Sequence, residues 1–150
     1  MLSQKNYRLI IALYLFVLTL LSIYYLAAVN VVPTYNAMTE WVINYQGGFV
    51  RRGLIGELVF QISNLFNLNL RFTFLIFQSF FYLIFYYLIY DLLKNINPNY
   101  FIILAIFSPV FIIFPLAELE ALGRKEILMF IVLLISIKLY FYYFNNNFLL

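Results

Sequence analysis

Between Gly47 and Leu58 the chain reads GGFVRRGLIGEL, setting Arg51 and Arg52 between glycines in a sequence otherwise dominated by apolar runs. Two adjacent guanidinium groups near a bilayer are costly unless an anion meets them, and lipid phosphate is the commonest anion there. The glycines suit a backbone that turns sharply or comes close to a ligand. A second polar block, ELEALGRKE over residues 118–126, supplies Glu118, Glu120, Arg124, Lys125 and Glu126. Arg51 and Arg52 precede the start of a helical pattern, and Arg124 and Lys125 open an apolar run. Cations at a helix N-terminus oppose the macrodipole by roughly 0.3–1 kcal/mol each where exposed. A bound anion reverses that sign, because free N–H groups and side chains then attract it together. The two pairs could therefore share one anion site. The plainer alternatives are that Glu57 and Glu126 neutralise them, or that they reach to lipid headgroups.

The carboxylates are less specific. Glu40 beside Trp41 could serve as a general base or as part of an interface anchor. Glu118 and Glu120 point different ways on a helix, and Glu120 could pair with Arg124 at i+4. In an irregular loop both could reach one hard divalent cation, which needs clustered oxygens. The chain has no cysteine and no histidine, which excludes disulfides, thiolate chemistry and the usual zinc and haem sites.

The elements that must position these groups are set by composition. The 150 residues are 66% hydrophobic and 10% charged, against a soluble norm of roughly 45–50% and about 25%. The mean hydropathy is +0.96. A soluble fold of this size cannot hide that much apolar surface, so the chain is expected to be an all-α, polytopic helical membrane protein. A net charge of +3, thinly scattered, excludes a nucleic-acid binder. Most of the 18 Phe and 14 Tyr are what a low-GC genome places at lipid-facing positions, not a binding surface.

Four spans are expected, over residues 9–29, 72–90, 100–117 and 127–144, in a single membrane domain. Pro109 and Pro115 should kink or unwind the third, and Lys138 should snorkel from the fourth. Leu54, Ile55, Leu58, Val59, Ile62, Leu65 and Phe66 recur at helical spacing, with Glu57, Gln61 and Asn64 on the other side. That pattern predicts a short amphipathic helix over 54–66, lying in the membrane interface. The tail NNNFLL is abrupt, so the chain could be a piece of a longer protein.

With four spans, Lys5, Arg8, Lys94 and Lys138 fall on one side, and Arg51, Arg52, Arg71, Arg124 and Lys125 on the other. The bare count slightly disfavours a cytoplasmic N-terminus. The flanks of the first helix usually dominate, however, and favour both termini inside. Glu40, Glu57, Glu118, Glu120 and Glu126 then share the outer side with five basic groups, as a site built from two loops would.

This layout resembles the N-terminal module of GT-C-type membrane glycosyltransferases: one helix, a long extracytoplasmic loop with amphipathic helices and an acidic residue, two spans, then a short charged loop. NYQGGFVRRGLIGEL also resembles a segment of bacterial multi-pass proteins associated with surface-polysaccharide synthesis. The layout similarity covers nearly the whole chain, the motif only about 25 residues. This chain departs from such enzymes in its few spans, and in having Glu40 where aspartate is commoner. The resemblance implies sugar transfer from a polyprenyl-phosphate-linked donor at the outer face of a bacterial inner membrane. Glu40, with Glu57 as second candidate, would deprotonate the acceptor. Arg51, Arg52, Arg124 and Lys125, with Glu118 and Glu120 beside them, would bind the substrate and its phosphate leaving group. The alternatives are a non-catalytic lipid-phosphate binder, working alone or with other membrane subunits, and a structural protein whose charges only anchor it. Cysteine-accessibility labelling at Asn44 and Ala121 tests the topology. Both positions should react from the extracytoplasmic side, and labelling of either one only from the cytoplasm contradicts it.

Overall fold

The computed structural model describes residues 4–31, 41–48, 53–94, 96, 99–108, 112–113, 116 and 122–147. Among these, five helices and no strand occur: α1 (Gln4–Val31), α2 (Leu54–Leu65), α3 (Leu70–Leu93), α4 (Tyr100–Ile106) and α5 (Glu126–Asn147). Three of them, α1, α3 and α5, are long and apolar enough to cross a membrane. The protein is thus a helical membrane protein.

Helix α3 is the centre, packed by α1, α2 and α5. On α1, Tyr7, Ile11, Leu15, Leu18, Ser22 and Leu26 are buried. Their spacing of three and four residues traces a single helical stripe, while Leu9, Leu13, Phe16 and Leu20 face outward. Arg8 Nε donates to the Lys94 carbonyl at 2.8 Å, and Ser22 Oγ meets the Tyr86 hydroxyl at 3.2 Å. The N-terminal end of α1 therefore lies at the C-terminal end of α3, and the two run antiparallel. Thr19 and Ser22 also donate to the carbonyls of Leu15 and Leu18.

Helix α2 turns into α3 through a tight connection. Leu68 N donates to Ser63 O at 2.9 Å across Asn67, whose φ of 51° is the left-handed conformation that asparagine tolerates at a helix end. Asn69 then caps α3, its Oδ1 accepting from Arg71 N at 3.0 Å. The first turn of α2 reaches the backbone of residues 41–43, and Trp41 stacks on Phe81, ring centroids 6.0 Å apart. So α2 folds back along the first half of α3. The close contact has a local cause. The buried face of α2 is Gly56, Val59 and Ser63, small residues that allow close helix approach. Leu54, Leu58 and Leu65 point outward, and Glu57, Gln61 and Asn64 form a third strip between.

The expected third span is not a continuous helix. Helix α4 has seven residues and is capped at Phe107, a length of about 10 Å against the ~30 Å of hydrocarbon. Proline disfavours helical backbone in the residue before it and lacks an N–H to donate. The helix accordingly stops before Ser108, the residue preceding Pro109. Tyr14 on α1 holds this helix end, donating to Ile106 O at 3.2 Å.

Helix α5 runs parallel to the second half of α3: Tyr82 contacts Leu122, Phe85 packs on Phe130, and Asp91 pairs with Lys138. Its start therefore stands beside the middle of α3. Lys138, expected only to snorkel, is tied to Asp91 at 2.5 Å.

Gly56 is closely packed against the first polar segment. A Cβ built there would overlap the Ile43 carbonyl oxygen and stand 2.6 Å from the Trp41 oxygen, whereas Gly47 has nothing within 4 Å. Gly56→Ala should cost on the order of 1–3 kcal/mol, the range for overpacking, and Gly47→Ala almost nothing. Denaturation of the two variants in detergent micelles checks this; equal stability would show that residues 41–43 do not press on α2.

Candidate functional site

Residues 41–48, the start of α2 and residues 122–126 meet beside the midpoint of α3. The contact is made by Trp41, 1% exposed, whose indole Nε1 donates to the Gly123 carbonyl at 2.6 Å. The preceding carbonyl, Leu122, accepts from the Tyr82 hydroxyl at 2.8 Å. Two successive carbonyls in the approach to α5 are thus each given a donor, one from the first polar segment and one from α3. Halfway along a spanning helix, unpaired backbone oxygens cost several kcal/mol, so these two bonds permit non-helical chain there.

The other half of the site is organised by Glu57 in the first turn of α2. Its Oε2 accepts from Tyr45 N at 3.0 Å; its Oε1 accepts from Gln61 Nε2 at 3.0 Å and Gln46 Nε2 at 3.2 Å. The Tyr45 amide, then the Gln61 amide, hold its carboxyl below the ordinary glutamate range. Asn44 Oδ1 accepts from Gln46 N at 3.2 Å, and Gly48 N donates to Tyr45 O at 3.0 Å. Gly48 has φ 116°, a left-handed conformation that its lack of a side chain permits. Residues 44–48 are therefore a compact turn clasped by Glu57.

The sequence-derived site residues divide as follows. Glu57 sits in the clasp with its lone pairs occupied by donors, which suits a turn-holding carboxylate better than a proton-abstracting base. Arg124 and Lys125 flank Gly123 immediately before α5, Arg124 exposed and Lys125 half-buried, with Lys125 O accepting from Leu128 N at 3.0 Å. Glu40, Arg51, Arg52, Glu118 and Glu120 lie outside the described residues; by chain connectivity they adjoin Trp41, Gly53 and Leu122. For the divalent metal ion considered from sequence, no three carboxylates gather among the described residues.

Two positions that build the junction, Tyr82 and Trp41, are not among the site residues expected from the sequence. Tyr82 is one of 14 tyrosines and gives no signal by type. Trp41 did give one: it is the only tryptophan, and a buried indole N–H needs an acceptor. Comparison with protein-family models, curated proteins and solved structures finds no match for this chain.

The lowered titration point of Glu57 fixes the sign of a pH effect. Its clasp contributes fully above the unfolded-state value, about 4.3, and is lost as pH falls through the lower folded-state value. Exchange protection of the Tyr45 amide should therefore collapse on strong acidification in the natural chain. In Glu57→Gln it should be weaker and independent of pH. The same acid response in both would assign it to another group.

Proposed function

We propose that this chain binds a polyprenyl-phosphate-type lipid at the place where its two polar segments dock, with Arg51, Arg52, Arg124 and Lys125 taking the phosphate. The supporting observation is the Trp41–Gly123 hydrogen bond, which holds the residues just before Arg124 against the segment that leads to Arg51. Pooling both basic pairs at one anion makes each charge-assisted bond stronger in a poorly hydrated setting. It would also relieve cations set against two helix N-terminal ends.

The sugar-transfer reading rests on the resemblance to GT-C glycosyltransferases and extends the same site. In it, a sugar leaves the lipid phosphate at the outer face of a bacterial inner membrane, with both termini of the chain cytoplasmic and four crossings. Glu40 is the first candidate for the general base, and Glu57, engaged in its clasp, the second. The acceptor hydroxyl gives its proton to the Glu40 carboxylate as it attacks the sugar, and the arginines hold the departing phosphate. Glu118 and Glu120 would stand beside the same substrate, and a divalent ion there would be held by these carboxylates.

Polyprenyl-phosphate binding to the purified chain in nanodiscs tests the shared claim. Arg51→Lys and Arg52→Lys should already weaken it, because an ammonium cannot reproduce the bidentate fork. Alanine should lose more, about 1.5–3 kcal/mol for each charge-assisted hydrogen bond removed. Losses at Arg51 and Arg124 should fall short of additive if one phosphate serves both. Normal binding by the lysine variants contradicts the clamp. Glu40→Gln separates the two readings: a transferase loses turnover with binding retained, and a pure binder is unchanged.

A further inference from the structure

Away from this site, the other end of the bundle carries a second polar cluster. Asp91, near the end of α3, accepts from Lys94 one turn on and from Lys138 of α5, each at 2.5 Å. The carboxylate is turned inward, its side chain 13% exposed, while the ammonium groups are 37% and 49% exposed. Arg8, bonded to the Lys94 carbonyl, and Lys5, exposed one turn before it on α1, stand at the same end. Four cations there face a single carboxylate. That excess equals the whole formal charge of the chain, +3, so the other five basic and five acidic residues cancel. One half-buried carboxylate cannot neutralise two ammonium groups, and each keeps hydrogens directed outward.

The surroundings fit a lipid headgroup layer. Tyr87, one turn before Asp91, and Tyr140, Tyr142 and Tyr143, just past Lys138, are all strongly exposed. Tyrosine concentrates where hydrocarbon gives way to headgroups. On α5 these rings lie about 3–8 Å beyond Lys138 at helical rise, comparable with the ~5–7 Å depth of a headgroup region.

We propose that Lys94 and Lys138, held apart by Asp91 and supported by Lys5, form a binding surface for the phosphate of anionic phospholipids in the leaflet around this end of the bundle. Asp91 is a positioning residue: it fixes both ammonium groups on adjacent helices and leaves their outer faces to the lipid. This surface is separate from the two-loop site.

The test is native mass spectrometry of the detergent-solubilised full chain with phosphatidylglycerol or phosphatidylcholine. The natural chain should retain phosphatidylglycerol at least about tenfold better, since each lysine near an anionic surface is worth on the order of fivefold. Lys94→Gln and Lys138→Gln should each lower that preference by about that factor, and Lys138→Arg should keep it. Because a single neutralisation leaves Asp91 poorly paired, the triple variant Asp91→Asn, Lys94→Gln, Lys138→Gln removes the carboxylate charge too. It should remain helical by circular dichroism and lose the preference. Arg71→Gln, exposed at the opposite end of α3, should not change it, which ties the preference to this end of the bundle and not to net charge. Equal retention of the two lipids, or a preference that survives in the triple variant, overturns the proposal. Displacement of phosphatidylglycerol by an equal concentration of inorganic phosphate would mark a free-phosphate site and also overturn it.

Discussion

The arrangement depends on one hydrogen bond, from the Trp41 indole to the Gly123 carbonyl at 2.6 Å. Both groups are buried, and a buried carbonyl stripped of its donor costs about 1–3 kcal/mol. The same side chain lays its ring on Phe81 of α3, and its own carbonyl closes over Gly56 of α2. One residue thus joins the first polar segment, the folded-back helix, the central helix and the approach to α5. Nothing larger than glycine fits at 56 without moving that assembly. The Glu57 clasp then builds on α2 once α2 is in place, and it determines how residues 44–48 are presented.

The polar groups are separated by end. Around the midpoint of α3, hydrogen bonds from neutral donors satisfy two backbone carbonyls and one carboxylate. At the end shared by the α1 N-terminus and the α3 C-terminus, ion pairs link α3 to α5 across Asp91. A carboxylate held by neutral donors and balanced by nearby basic residues needs little else, whereas a surplus of one charge needs water or headgroups. This division follows from where each element stops. Helix α5 begins halfway along α3 and leaves its start to be capped by the rest of the chain, while its far end carries Lys138 to Asp91.

Much of the fold was legible as periodicity. Helices α1, α3 and α5 lie over three of the four apolar runs, because about 20 uncharged residues leave few alternatives to a helix in lipid. Helix α2 was visible from its spacing, with its end marked by Asn67. What spacing hides is which face packs. The spacing leaves the apolar face of α2 free to meet lipid or the bundle, and close approach turns Gly56, Val59 and Ser63 inward. Run length also overstated residues 100–117, where Pro109 outweighed apolar composition. In the site, Glu57 stood out by charge, but its clasp joins Tyr45 and Gln46 across a gap that no local pattern announces. Pairing of Asp91 with Lys138 is likewise a tertiary fact, set by the parallel course of α3 and α5.

The central claim is that the two polar segments form one docked unit, and a distance across the junction tests it most directly. The chain has no native cysteine, so spin labels can be placed at Gln46 and Arg124 alone and read by pulsed electron resonance in nanodiscs. Docked segments should give a single short, narrow distance distribution that broadens and lengthens in Trp41→Phe, which keeps an aromatic ring and removes the N–H. A broad distribution in the natural background, or a narrow one unaltered by Trp41→Phe, would contradict it.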